Sequence, residues 1–133
     1  MICGIGCDIA KISRFRSWLE KPEMISRFFN GRELFPGRPD GQGQPASPGR
    51  LMEWYAARFA AKEAFVKALG TGFSAFKLAD MYIEKNDDGQ PFLRVTGGAR
   101  ERLESLYGKD AQVHVSLSHE KEYAVAFVII ERR

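Results

Sequence analysis

Arg58-Phe59-Ala60-Ala61-Lys62-Glu63-Ala64-Phe65-Val66-Lys67-Ala68-Leu69-Gly70-Thr71-Gly72-Phe73 reads as a helix up to its first glycine. It is rich in alanine, holds no proline and only Val66 as a β-branched residue before Gly70, which suits a left-handed C-terminal cap. At 3.6 residues per turn, Trp54, Ala61, Phe65 and Leu69 share one side, and Met52, Phe59 and Val66 share another. Glu63 falls between these two sides, with Lys67 one turn further along its face. A helix apolar on two sides packs between layers, so Glu63 is expected to point into poorly solvated space. On a solvated face, Glu63 and Lys67 would be an ordinary i,i+4 pair contributing about 0.2–0.5 kcal/mol. A buried carboxylate instead requires compensation, either by the lysine alone or by a second carboxylate and a shared divalent ion.

Composition narrows the class. A chain of 133 residues with 44% apolar and 28% charged residues has the length and make-up of one globular domain, expected over residues 1–133. No run approaches the roughly 20 apolar residues of a membrane span, and Met1-Ile2-Cys3-Gly4 lacks the basic start of a secretory signal. Cys3 and Cys7, about 13 Å apart if both lie on a strand, are expected to be reduced thiols of a cytoplasmic protein. The net charge of +3 is uneven. Lys11, Arg14, Arg16, Lys21, Arg27 and Arg32 stand against Glu20 and Glu23, a local +4, so the remainder sums to −1. Unless these cations are simply a solvated helix face, the N-terminal third is set up for an acidic partner.

Ile2 to Ile9 is short, apolar and spaced by glycine, and reads as a buried first strand ending at Asp8. Gly4-Ile5-Gly6 is not a dinucleotide fingerprint, because Ile9 stands where the third glycine belongs. Glycines on alternate positions leave one strand face bare, so another element should pack closely there. Asp8 is either the cap of the next helix or the second carboxylate that Glu63 requires.

Ile12, Phe15 and Leu19 recur at helical spacing, with Lys11, Arg14 and Trp18 flanking them. Pro22 opens a second helix through Phe29, which Asn30-Gly31 ends. Pro36 to Arg50 holds four prolines and four glycines in fifteen residues, the composition of a loop or insertion. No chemistry is assigned to it beyond the chance of Arg38 or Arg50 brushing a ligand. Leu78 to Lys85 and Pro91 to Thr96 form a hairpin around Asn86-Asp87-Asp88-Gly89, and Ala99 to Tyr107 a short amphipathic helix stopped by Gly108. Val113 to His119 alternates, with His114, Ser116 and Ser118 on one face. Tyr123 to Ile130 is an apolar last strand. His119 lies at the turn between these two strands; His114 is read as an ordinary surface histidine.

Asp8 and Glu63 together offer two hard oxygen ligands, the set that suits Mg²⁺, which keeps several waters and completes its shell with substrate phosphates. Zinc is excluded by the absence of Cys or His ligand spacing. Lys62, Lys67 and Arg58 are expected to surround the acids, and Gly70-Thr71-Gly72 offers backbone N–H groups and a hydroxyl nearby. Such a constellation suits a diphosphate and phosphoryl-type transfer.

Gly4-Ile5-Gly6-Cys7-Asp8-Ile9, the run Phe59 to Gly72, and His114-Val115-Ser116-Leu117-Ser118-His119 resemble the holo-acyl-carrier-protein synthase family, the small single-domain branch of the phosphopantetheinyl transferases. The resemblance runs from residue 2 to about residue 131 in order and spacing, with Pro36–Arg50 departing from it. It implies an α+β fold, a mostly antiparallel sheet packed on a long central helix, assembling as a homotrimer with sites between subunits. It implies transfer of the phosphopantetheine arm of coenzyme A to a serine of acyl carrier protein, with release of adenosine 3′,5′-bisphosphate, in fatty acid biosynthesis. Asp8 and Glu63 match the Mg²⁺ ligands, and Lys67 the lysine at the pyrophosphate. Arg58, Lys62, Gly70, Thr71, Gly72 and His119 fall in the coenzyme site, joined by Gly89 and Pro91 from a neighbour's hairpin. Arg14 matches the arginine that docks the acidic carrier. The serine proton would pass to a metal-bound water, the favoured acceptor, to Glu63 or to His119. A coenzyme A- or nucleotide-binding module without catalysis is the alternative. A nucleic-acid binder lacks the aromatic interleaving it would need.

Overall fold

A computed structural model describes residues 1–35, 47–70 and 76–133. Its organising contact is between a strand and a helix that touch backbone to backbone. Strand β1 (Ile2–Lys11) carries Gly4 and Gly6 on the face turned to α3 (Pro48–Leu69). A Cβ on Gly4 would fall on the carbonyl oxygen of Ala68, and one on Gly6 on that of Ala64. The alternate glycines and small helix residues thus set how closely the two elements approach.

Strand β1 pairs antiparallel with β5 (Tyr123–Glu131), which pairs antiparallel with β4 (Gln112–His119), giving the order β1-β5-β4. Helix α3 lies across one face of this sheet. Every residue from Tyr55 to Leu69 is buried except Glu63 and Lys67, so the helix is enclosed on nearly all sides. The Ser47 hydroxyl accepts from the Arg50 N–H at the helix start, Pro48 occupies the first turn, and Gly70 closes it at φ +78°. Two expectations change here. Residues 48–50 belong to the helix rather than to the Pro/Gly-rich loop, whose positions 36–46 lie outside the described residues. Strand β1 also continues to Lys11, so Asp8 is interior, opposite Ala126, and caps no helix.

Residues Ile12–Phe15 form a 3-10 turn leading into α1 (Arg16–Leu19). Ile12 and Phe15 share a face of the 3-10 turn, and Trp18, in α1, is buried rather than flanking as expected. Its ring packs 4.7 Å from Phe15 and 5.3 Å from Phe59 between centroids. Helix α2 (Pro22–Phe28) follows, and Asn30 caps the 3-10 turn Gly31–Glu33. A separate two-stranded sheet pairs β2 (Met81–Lys85) with β3 (Pro91–Val95), joined by a turn with Gly89 at φ +82°. Helix α4 (Gly97–Tyr107) buries Ala99 and Leu103, starting two residues before the expected Ala99. The expected α+β arrangement, antiparallel sheet against a long helix, is therefore the one found.

The sheet face turned away from α3 is open, apolar across β1 and β5 and bordered by His114, Ser116 and Ser118 of β4. Ile5 is 67% exposed and Phe127 50%, with Ile9 and Tyr123 on the same face. Among the described residues no helix is long and apolar enough to cross a membrane.

Candidate active site

Asp8 and Glu63 are brought together by the same packing that the glycines permit. On β1, Gly4, Gly6 and Asp8 face α3 in succession, and Asp8 meets the helix at Lys67. The Lys67 ammonium donates to Asp8 Oδ1 at 3.0 Å and to the Cys7 carbonyl oxygen at 3.0 Å. Glu63 lies one turn earlier on the helix. Burial, and after it the negative charge of Asp8, pushes the Glu63 carboxyl above the ordinary carboxylate range, against the opposing charges of Lys67 and Arg14. The hydrogen bond to Asp8 raises the Lys67 ammonium in turn. Asp8 and Glu63 set two carboxylates beside the Lys67 ammonium in partly desolvated space. Such a set accepts a hard divalent cation. Among the described residues no group of three His, Cys, Asp or Glu comes together.

Glu63 also lines a cavity of about 780 Å³. Its walls include Trp18, Phe28, Phe59 and Leu78, and the exposed cations Arg14, Arg27 and Lys77 line it too. The Arg14 guanidinium sits over the Phe59 ring, 5.1 Å from its centroid. The groove is thus apolar inside, positive around it, and floored at one point by Glu63.

Arg58 and His119 are not with the acids. They line a second cavity of about 440 Å³ together with Arg50, Trp54, Lys85, Leu117 and one carboxylate, Glu53. His119 lies on β4, the edge strand opposite β1, so it is two strand spacings, about 10 Å, from the strand of Asp8. Helix α3 crosses the sheet face between them. Arg58 is buried; its guanidinium stacks on Trp54 at 3.2 Å from the ring centroid and donates to the Trp54 carbonyl oxygen at 3.3 Å. Burial lowers its pKa to about 10, and among the described residues its Nε has no partner. Four basic side chains therefore converge here. Gly89 and Pro91 sit on the hairpin whose Lys85 reaches this cavity, with Pro91 opposite Lys85. Gly70 follows α3 directly; Thr71 and Gly72 lie outside the described residues.

Lys62 departs from expectation. Its side chain is fully buried, and its ammonium donates to the carbonyl oxygens of Phe28 (2.9 Å), Leu78 (3.1 Å) and Met81 (2.9 Å) while pairing with the Glu33 carboxylate. All of its donors are committed inside the protein, so it can neither flank the acids nor reach a coenzyme. His114 bonds Glu131 at 2.9 Å, away from both cavities. Sequence reasoning missed Glu33, whose only signal is the Asn30-x-x-Glu33 capping pattern. It also missed Lys77 and Lys85, which carry no local signature, whereas Arg27 is among the N-terminal cations expected to meet an acidic partner.

The model of the 4′-phosphopantetheinyl transferase superfamily matches residues 4–128. A holo-[acyl-carrier-protein] synthase of Treponema denticola is 44% identical over 133 residues, covering 98% of this chain and 99% of that protein. Its counterpart from Oceanobacillus iheyensis is 39% identical over 134 residues, covering 100% of this chain and 99% of that protein. The crystal structure of the Neisseria meningitidis synthase superposes with a TM-score of 0.80 at 31% identity, over 99% of this chain and 100% of that one. The Bacillus anthracis synthase in complex with CoA (3′,5′-ADP) superposes with a TM-score of 0.75 at 34% identity, over 100% of this chain and 99% of that one. The chain belongs to the 4′-phosphopantetheinyl transferase superfamily.

Proposed function

We propose that the protein acts as a holo-[acyl-carrier-protein] synthase, moving the 4′-phosphopantetheine arm of coenzyme A onto a serine of apo acyl carrier protein and releasing adenosine 3′,5′-bisphosphate, in service of fatty acid biosynthesis. The observation that carries the reading is the meeting of Asp8, Glu63 and Lys67 beside an apolar groove flanked by cations. Asp8 and Glu63 would hold Mg²⁺, which when bound neutralises charge on the diphosphate. Lys67, already drawn to Asp8, is placed to meet the same diphosphate and to stabilise charge as the phosphoanhydride breaks. The groove accepts the carrier. An acidic surface meets Arg14, Arg27 and Lys77 while an apolar side chain enters between Phe28 and Phe59.

The second cavity supplies the other half of the coenzyme site. Arg58 and His119, with Arg50 and Lys85, suit the phosphate and adenosine end, and Gly89 and Pro91 lie on the adjoining hairpin. Because Arg58 and His119 line a cavity apart from Asp8 and Glu63, one coenzyme molecule would join the two halves where a second copy of the chain presents its Arg58 and His119 to the first copy's acids. The exposed face of Ile5, Ile9, Tyr123 and Phe127 gives such copies an apolar surface on which to associate, and we take the assembly to be a trimer. The whole chain, 1–133, forms the transferase domain, working in the cytoplasm where Cys3 and Cys7 stay reduced.

Incubating apo carrier protein with coenzyme A, Mg²⁺ and this protein, then weighing the carrier, tests the reading. The carrier should gain the mass of one phosphopantetheine group, EDTA should prevent the gain, and Glu63→Gln should abolish it without unfolding the protein. Coenzyme A binding with no change in the carrier's mass would instead favour a binding module without catalysis.

A further inference from the structure

Lys62 and Glu63 are consecutive, yet one is sealed inside and the other faces the groove. The partners of Lys62 explain the contrast. Its ammonium holds the Phe28 carbonyl, the last of α2, where a helix leaves its acceptors unsatisfied and favours a cation. It also holds the carbonyls of Leu78 and Met81. Glu33 returns the charge and accepts from the N–H groups of Asn30 (3.2 Å) and Ile83 (3.0 Å). Residues 28–33 and 78–83, far apart in sequence, are thereby clamped to one helix position. A second tie joins the same segments, the Asn30 side-chain amide donating to the Ala79 carbonyl oxygen at 2.9 Å.

Phe28, Leu78 and Ala79 all line the groove beside Glu63. The clamp therefore ties together two segments that line the groove and fixes their separation. A buried ion pair is a poor device for stability alone, since apolar replacements of like volume are often as stable. We propose that Lys62, with Glu33, is a positioning residue that sets the width of the groove at Glu63 and so the affinity for the acyl carrier protein, without touching coenzyme, metal or carrier. This rests on the groove being where the carrier docks.

The test separates the two Michaelis constants. In Lys62→Met/Glu33→Gln both charges of the pair leave together, so neither partner is left as a lone buried ion. Losing the grip on the Phe28 and Leu78 carbonyls should raise KM for the carrier about tenfold, from roughly a hydrogen bond's worth per wall. KM for coenzyme A and kcat should stay within about twofold, well inside the tenfold that 1.4 kcal/mol represents. Asn30→Ser keeps a capping oxygen but cannot span to Ala79, so it decides the matter if the double variant does not fold. It should raise KM for the carrier about threefold, a partial loss of one hydrogen bond. A purely structural clamp would lower Tm and leave both Michaelis constants of the folded fraction alone, which would overturn the proposal. Arg14→Glu serves as control. If it raises KM for the carrier and the clamp variants do not, positioning fails and the docking site stands; if it has no effect, the docking site fails and the proposal falls with it.

Discussion

The Lys67 ammonium lies 3.0 Å from Asp8 Oδ1, so the chain's own cation answers part of the charge that Asp8 and Glu63 create. Removing it should have two opposite effects. Lys67→Met is expected to bind Mn²⁺ several-fold more tightly without coenzyme A, because nothing then competes for Asp8. Its turnover should fall about 10²–10³-fold, the scale of losing one preorganised charge at a reacting diphosphate. Mn²⁺ titration by electron paramagnetic resonance and carrier mass spectrometry read the two effects. Weaker Mn²⁺ binding would mean the lysine helps build the metal site rather than competing with metal there.

Glu63 should lower stability for the sake of function. Its carboxyl is held above the usual range, first by burial and then by Asp8, so the folded chain holds this proton more tightly than the unfolded chain does. The associated stability is fully present below the ordinary carboxylate pKa and is lost as pH rises through the raised folded value. In EDTA at about pH 8, Glu63→Gln should therefore melt a few degrees higher than wild type, and at about pH 4 the difference should vanish. Calorimetry at the two pH values decides it, and a lower melting temperature at the higher pH would show that the carboxylate is well accommodated.

Gly6→Ala should be severe. The added methyl would fall on the Ala64 carbonyl oxygen, a backbone atom that moves only if strand and helix separate. A loss of about 2–4 kcal/mol in denaturant unfolding is expected, with Gly31→Ala, where no atom lies within 4 Å, nearly neutral. Equal effects would remove close packing as the reason for the glycine.

Arg14→Glu should raise KM for the carrier about tenfold or more while leaving KM for coenzyme A alone, and the difference from wild type should shrink as salt is added. Steady-state kinetics at two ionic strengths measure both. An unchanged KM would take Arg14 off the docking surface.

Much of this architecture was legible because its signals are local. The end of α3 is written in its alanines and Gly70, the close strand contact in Gly4 and Gly6, and the last two strands in their alternation. What was hidden depends on contacts between distant segments. Helical counting separates Lys62 from Glu63 by about 100° and Arg58 from Glu63 by about 140°, but it does not say which neighbour claims each side chain. Glu33, some thirty residues upstream, claims Lys62, and Trp54 with β4 claims Arg58, so cations grouped with the acids by sequence lie elsewhere. Trp18 is buried by packing on Phe29 and Phe59 from other segments, and the start of α3 was masked by the Pro/Gly-rich composition leading into it.

The central claim is that each coenzyme site joins Asp8 and Glu63 of one copy to Arg58 and His119 of another. Co-expressing Glu63→Gln and an Arg58→Ala/His119→Ala variant under two different tags, and purifying the mixed assembly through both, tests it directly. Each variant alone should be nearly inactive in carrier modification, and the mixed assembly should recover a substantial fraction of wild-type turnover, because some sites then receive intact halves from different copies. A mixed assembly as inactive as its parents would place all four residues in a site within one chain and contradict the account.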